Sequence, residues 1–167
     1  GVLHPDSGSV LVGNMPPSQV QVRSRIGWLP EHNPLPLHRT VRDWVVEACR
    51  SRGGSVKQGH AALDRCDLAL YAEREIRVLS KGWRQLVGLA AAVAHEPDLL
   101  ILDEPSTGMD PLRRRWFRAL LREFGAERSV LLSSHLLDEA ERVCDEVVLL
   151  SDGEVRASGP LTHVLAL

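Results

Sequence analysis

The stretch Leu99-Leu100-Ile101-Leu102-Asp103-Glu104-Pro105 decides the fold. Four apolar residues run straight into two carboxylates and a proline. An unbroken apolar run of this length marks a strand buried on both faces, as in a parallel sheet covered by helices. Proline donates no ladder hydrogen bond, so the strand cannot continue in the sheet beyond Glu104. In an open α/β sheet, ligands bind at the carboxyl ends of the strands, which is where Asp103 and Glu104 fall. One acid suits Mg²⁺ held through water, because Mg²⁺ keeps several waters and takes one or two carboxylates. The adjacent acid suits a water to be oriented and polarised for attack on a phosphate. The plainer reading of the same residues is a strand ending in an acidic cap for the next helix.

Downstream, Val130-Leu131-Leu132 and Val147-Val148-Leu149-Leu150 repeat the apolar-run pattern and read as further buried strands. Between the first two strands the signals are helical. Asp110 is a good N-cap, Pro111 suits the first helical position, Trp116, Leu120 and Phe124 share one face, and Gly125 is the expected stop. A second helix follows Ser134, with Leu136, Ala140 and Val143 on one side. Ser151-Asp152-Gly153-Glu154 is a tight turn joining two strands as a hairpin. Strands alternating with helices predict an α/β fold with a parallel sheet.

Upstream of residue 80 the pattern changes. Gly8–Val12 and Ile26-Gly27-Trp28-Leu29 are strand-like and separated by Pro16-Pro17, which suggests a small β region. From Thr40 the apolar positions Val41, Trp44, Val45, Ala48 and Cys49 follow a helical period. Arg52-Gly53-Gly54-Ser55 breaks that helix, and a weaker one is expected over about Val56–Leu70. The middle of the chain thus reads as a helical insert between a small β region and the sheet.

With 167 residues the chain suits one domain, and 44% hydrophobic with 25% charged residues is ordinary for a globular protein. A net charge of −2 without long runs of one sign argues against a nucleic-acid surface, so no nucleic-acid partner is expected. The longest apolar stretches, such as Leu86–Ala94, are too short to span a bilayer, and no signal peptide is recognisable at Gly1–Pro5. Cys49, Cys66 and Cys144 are far apart, offer neither a disulfide framework nor metal-ligand spacing, and fit a reducing cytosol.

Two further motifs bear on the acidic pair. Leu79-Ser80-Lys81-Gly82-Trp83-Arg84-Gln85 precedes an apolar helix with Leu86, Ala90 and Val93 on its inner face. Ser80 can cap that helix, Gly82 lets backbone N–H groups approach an anion, and a helix N-terminus is a phosphate site. A capped core helix is the simpler reading. Ser133-Ser134-His135 directly follows the Val130–Leu132 strand, which brings His135 to the sheet edge of Glu104, within reach of a phosphate or an attacking water.

In this order the three motifs resemble the nucleotide-binding domain of ABC-type ATPases. Leu79–Gln85 resembles the signature motif, in a Leu-Ser-Lys-Gly form rather than Leu-Ser-Gly-Gly. Leu99–Glu104 resembles Walker B with its catalytic glutamate, Ser106–Asp110 the D-loop, and His135 the switch histidine. Val2–Val10 resembles the stretch that follows the first helix of that fold. The resemblance implies a P-loop NTPase-like parallel sheet core, in part, in about residues 1–37 and 89–167. It also implies a helical insert at about 38–88 and remnants of a small antiparallel β region. It implies ATP and Mg²⁺ as ligands, with Glu104 polarising water, His135 at the γ-phosphate and Asp103 positioning the metal. Ser80, Lys81, Gly82, Trp83, Gln85 and Asp110 would meet the nucleotide across a dimer. Glu31, in Trp28-Leu29-Pro30-Glu31, matches the Q-loop glutamine and would join the Mg²⁺–water network. The implied partners are a second nucleotide-binding domain and a transmembrane permease, at the cytoplasmic face of the membrane.

The pattern Gly-x-x-x-x-Gly-Lys-Ser/Thr occurs nowhere in the chain, and residue 1 is glycine, so an N-terminally truncated subunit is expected. Most of the β- and γ-phosphate binding goes with that loop, and an inactive fragment is the corresponding expectation. Leu-Pro-Glu at residues 29–31 together with the Lys-Gly signature points to exporter-like members of the family. The rivals are a non-transport ABC ATPase, against which the compact Glu31–Ser80 spacing argues, and a non-hydrolysing regulatory module. His32, His38, His60, His95 and His163 share no spacing and read as surface or loop residues. Arg113-Arg114-Arg115 reads as a solvated first turn. Trp28, Trp44, Trp83 and Trp116 read as packing anchors, with Trp44 a candidate surface for a permease helix.

Overall fold

The computed structural model describes residues 5–164. Val2, Leu3 and His4 of the amino-terminal match lie outside the described residues. In chain order the elements are α1 (Val20–Arg23), β1 (Ile26–Leu29), α2 (Val41–Ser51), α3 (Val56–Arg65) and α4 (Lys81–Val93). They continue with β2 (Leu99–Asp103), α5 (Pro111–Glu127), β3 (Ser129–Ser133), α6 (Leu137–Val143), β4 (Glu146–Ser151), β5 (Glu154–Pro160) and α7 (Leu161–Val164). Short 3₁₀ turns at Ala69–Tyr71 and Ile76–Val78 lead into α4.

The decisive apolar run is the central strand of a parallel sheet of order β1-β2-β3, with Leu29 opposite Leu102 and Asp103 opposite Ser133. Its Leu100 and Leu102 face a core that also takes Leu29, Leu86, Leu89, Phe117 and Phe124. Gly27 lets α4 lie close on β1: a Cβ there would stand 2.3 Å from the Ala92 carbonyl oxygen. The helical insert forms as expected. Thr40 caps α2 by accepting from the Asp43 N–H, and Val41, Val45 and Cys49 are buried. Ser55 and Gln58 make a reciprocal capping box on α3, and Ser80 caps α4. Asp110 caps α5 with Pro111 at its first position.

Several expectations are corrected. Ile26–Leu29, which its pattern alone set in a small β region, pairs in the parallel sheet, and Gly8–Val12 forms no strand beyond a bridge from Val12 to Met15. Val147–Leu150 is not a buried parallel strand but pairs antiparallel with β5, largely exposed, through the expected Asp152-Gly153 turn. Gly125 does not stop α5, which runs to Glu127 because Phe124, one position earlier, is fully buried and holds the last turn down. On α5 the buried face is Phe117, Leu120, Leu121 and Phe124, with Trp116 only half-buried. The second insert helix ends at Arg65. On α6 the one buried residue is Glu139, with Ala140 and Val143 half-buried. Trp28 is 55% exposed and anchors nothing, whereas Trp44 packs against the core. His95 lies in a loop but half-buried, its Nε2 3.3 Å from the Ile26 carbonyl oxygen.

Candidate functional site

Two neighbouring strand ends build the first cluster. Parallel register sets Asp103 beside Ser133, whose Oγ donates to Asp103 Oδ1 at 2.5 Å and accepts from the Glu104 N–H at 3.1 Å. The Glu104 N–H also reaches the Ser133 carbonyl oxygen at 3.2 Å. These bonds hold Glu104 at φ +46°, in the left-handed region that non-glycine residues rarely occupy. The chain thereby turns out of the strand and aims the Glu104 carboxyl at the next loop, where Oε2 lies 2.8 Å from His135 Nδ1. A carboxylate oxygen accepts, so Nδ1 is the donor of this pair and Nε2 is the ring nitrogen left over for another partner. Glu104 is largely shielded while the His135 side chain is 70% exposed.

The sheet edge therefore presents an exposed carboxylate on Asp103, a shielded one on Glu104, and an accessible imidazole. Among the described residues no three acidic, histidine or cysteine side chains form a metal cage. One exposed carboxylate is the share a protein contributes when water and phosphate oxygens complete the Mg²⁺ octahedron, so the donor set fits Mg-ATP as a substrate.

The second cluster surrounds the start of α4. Ser80 Oγ accepts from the Trp83 N–H at 3.5 Å. The Lys81 stem lies over Gly108, where a Cβ would come within 2.7 Å of Lys81 Cδ, and Gly108 itself takes φ +79°. Gly82 faces Gly108, Met109 and Arg113. Trp83 is clasped between the Tyr71 ring, 4.2 Å away, and the Arg113 guanidinium, 3.8 Å from its ring centroid. Arg113 is thus no idle solvated cation. Its backbone N–H donates to Asp110 Oδ1 at 2.9 Å, and this bond, with the guanidinium charge, holds the Asp110 carboxyl below the usual carboxylate range. Gln85 is buried, with no partner for its Nε2 among the described residues.

Glu31 follows β1 at the same sheet edge and is exposed. It lines a cleft of about 350 Å³ with Asn33, Lys81, Arg84, Gln85 and Thr107. Asn33 ties this loop to α4 by donating to the Arg84 carbonyl oxygen at 3.2 Å. The structure thus brings Asp103, Glu104 and His135 together, and separately Glu31, Ser80–Gln85 and Asp110. No hydrogen bond or ion pair joins the two clusters among the described residues. Sequence reasoning missed Ser133, Ser134, Glu139 and Arg113. The register of adjacent strands could have flagged Ser133. Nothing local to the sequence marks Glu139 or the pairing of Arg113 with Trp83.

A family model described as "ABC transporter" matches residues 1–107, which takes in Glu31, Ser80–Gln85, Asp103 and Glu104. The chain is 34% identical over 166 residues to the "Nod factor export ATP-binding protein I" of Burkholderia lata, covering 95% of the chain and 55% of that protein. It spans about half the length of the curated relatives it matches. A solved structure described as "Structure of ATP binding subunit of ABC transporter" superimposes with a TM-score of 0.88 at 28% identity. It covers 99% of this chain and 72% of that one. The cbiO1 protein of Clostridium perfringens, described as part of the ABC transporter complex cbiONQ, gives a TM-score of 0.84 at 27% identity, over 99% and 71% of the two chains.

Proposed function

Because the chain belongs to the ABC transporter family, we propose that it forms part of an ATP-hydrolysing subunit that powers export through a membrane permease. The observation that carries this reading is the sheet-edge pair of acids with His135 Nδ1 2.8 Å from Glu104 Oε2. Asp103 positions Mg²⁺ through water, and Glu104 polarises the water that attacks the γ-phosphate. His135 presents Nε2 to that phosphate while Glu104 fixes its tautomer. Phosphoryl transfer needs positioning and charge stabilisation more than covalent chemistry, which is what two acids and an imidazole at one sheet edge can supply.

Ser80, Lys81 and Gly82, with Trp83, Gln85 and Asp110, close over a nucleotide held by a second domain of the same kind. Glu31 links the Mg²⁺–water network to the helical residues 38–88, which meet the permease. Direction and peripheral location rest on the export named for the Burkholderia relative and the complex named for cbiO1. No helix among the described residues is long and apolar enough to cross a membrane. The chain contains no Gly-x-x-x-x-Gly-Lys-Ser/Thr loop. By itself it is therefore expected to bind Mg-ATP weakly and not to turn it over.

The test is Glu104→Gln in the full-length protein. ATP binding is expected to stay within a few-fold while turnover falls by about a hundredfold or more. Normal turnover in that variant excludes Glu104 as the water-polarising group, and a parent protein without turnover excludes the hydrolytic reading.

A further inference from the structure

Glu139 is an acid where an apolar residue is expected. It lies on α6 with no solvent exposure, yet among the described residues its side chain makes a single hydrogen bond, through Oε2, and its Oε1 has no partner. A buried carboxylate without full pairing is unfavourable, and an aliphatic side chain would fill the position at lower free energy. Nor does Glu139 dock the helix. Arg118 reaches Asp138 at 3.4 Å, and Arg122 donates to the Arg142 carbonyl oxygen at 2.6 Å, and these hold α6 on α5.

What Glu139 does hold is the loop in front of α6. Its Oε2 accepts from Ser134 Oγ at 2.8 Å, and the same Oγ accepts from the Leu136 N–H at 3.1 Å. The two residues so fixed flank His135. Leu136 stands at the N-cap position with no side chain to offer, so Ser134 and Glu139 replace a conventional cap and fasten the turn from both sides. Among the described residues the His135 side chain, 70% exposed, has one hydrogen-bond partner, Glu104.

We infer that Glu139, acting through Ser134, is a positioning residue that sets the imidazole of His135 against Glu104. The inference rests on the hydrolytic reading of that pair. It predicts that loosening the loop lowers the rate of the chemical step and leaves nucleotide affinity alone, because misplacing a reacting group by about 1 Å costs up to about a hundredfold in rate.

The experiment is steady-state ATP hydrolysis by the full-length protein and its Ser134→Ala, Glu139→Ala, Glu139→Gln and His135→Ala variants, with thermal unfolding of each. Ser134→Ala and Glu139→Ala are expected to lower kcat by about tenfold or more with KM for ATP unchanged. A variant carrying both Ser134→Ala and Glu139→Ala should be no worse than either single one, since both cut the same link. Glu139→Gln, whose amide oxygen can still accept from Ser134, should recover most of the rate. In a His135→Ala background the Ser134 and Glu139 changes should have no further effect. A rise in KM at constant kcat, additive losses, or losses that persist without His135 overturn the inference. Should Glu139→Ala fail to fold, Ser134→Ala alone decides, because its side chain fills no core position. Normal turnover in His135→Ala sinks the reading of the pair itself. An impaired His135→Ala beside normal Ser134→Ala and Glu139→Ala variants sinks the positioning role alone.

Discussion

The strained backbone at Glu104 explains why Ser133 matters. A non-glycine residue in the left-handed region costs about 1–2 kcal/mol, and here two bonds from its N–H to Ser133 hold it there. Ser133 Oγ also meets Asp103, so one hydroxyl orients both acids. On the proposed hydrolytic reading, Ser133→Ala in the full-length protein is expected to raise the Mg²⁺ concentration for half-maximal hydrolysis several-fold, read by titrating the metal at saturating ATP; an unchanged half-saturation point counts against a role for Ser133 in orienting Asp103. His95 gives a prediction of a different kind. Burial, then the charges of Arg52 and Arg128, push its imidazole below the ordinary histidine value of 6.5, although its bond to the Ile26 carbonyl opposes this. The folded state thus prefers neutral His95, and the unfolded chain binds its proton first as pH falls. Stability from this group is complete above about pH 6.5 and is lost as pH drops through that value toward the lowered one. Urea midpoints measured from pH 7.5 to 5 should fall less steeply for His95→Gln than for the parent chain. Parallel curves would show that His95 makes no difference. The acids and His135 were legible because each ends an apolar strand; Ser133, Ser134 and Glu139 were not, because their roles follow from register and burial.

At the scale of elements, α4 is where site and scaffold meet. Its first turn carries the Ser80–Gln85 motif, and its middle crosses β1 and the Glu31 loop at Gly88. A Cβ at Gly88 would stand 2.0 Å from Asn33 Nδ2 and 2.7 Å from Leu29 Cδ1. Although alanine is the better helix former, Gly88→Ala is expected to destabilise the fold by about 1–3 kcal/mol through overpacking. Chemical denaturation measures this, and a gain in stability would mean that the Asn33 loop yields freely. The helices were readable from caps and period because both are local signals: the structure keeps Ser80 and Asp110 as caps and adds Thr40 and Ser55. Strand partners were not readable. Ile26–Leu29 and Val147–Leu150 carry much the same apolar signal, yet one joins the parallel sheet and the other an exposed hairpin. That choice is made by contacts distant in sequence, such as α4 closing on Gly27.

Across the whole molecule, the two faces of the parallel sheet differ in a way that matters for handling the chain. One face, through Leu29, Leu100 and Leu102, is sealed in the core. The other runs across the three strands as Trp28, Ile101 and Leu131, paired in register, with Trp28 55% and Leu131 60% exposed. Parallel sheets are normally covered on both faces, and an uncovered apolar row of this kind favours association. Asp103 and Ser133 stand at the end of the same face, so whatever shields the row also borders the acids. The 167-residue chain in isolation is therefore expected to self-associate and to bind an apolar dye. Leu131→Lys should suppress both while leaving the unfolding midpoint nearly unchanged, since that side chain is already in water. Leu102→Lys, one register step on but facing the core, should unfold the protein outright. Sedimentation, dye fluorescence and denaturation on the three chains decide the matter. A parent chain that stays monomeric and dark to the dye would mean that the row is shielded in solution by the chain itself.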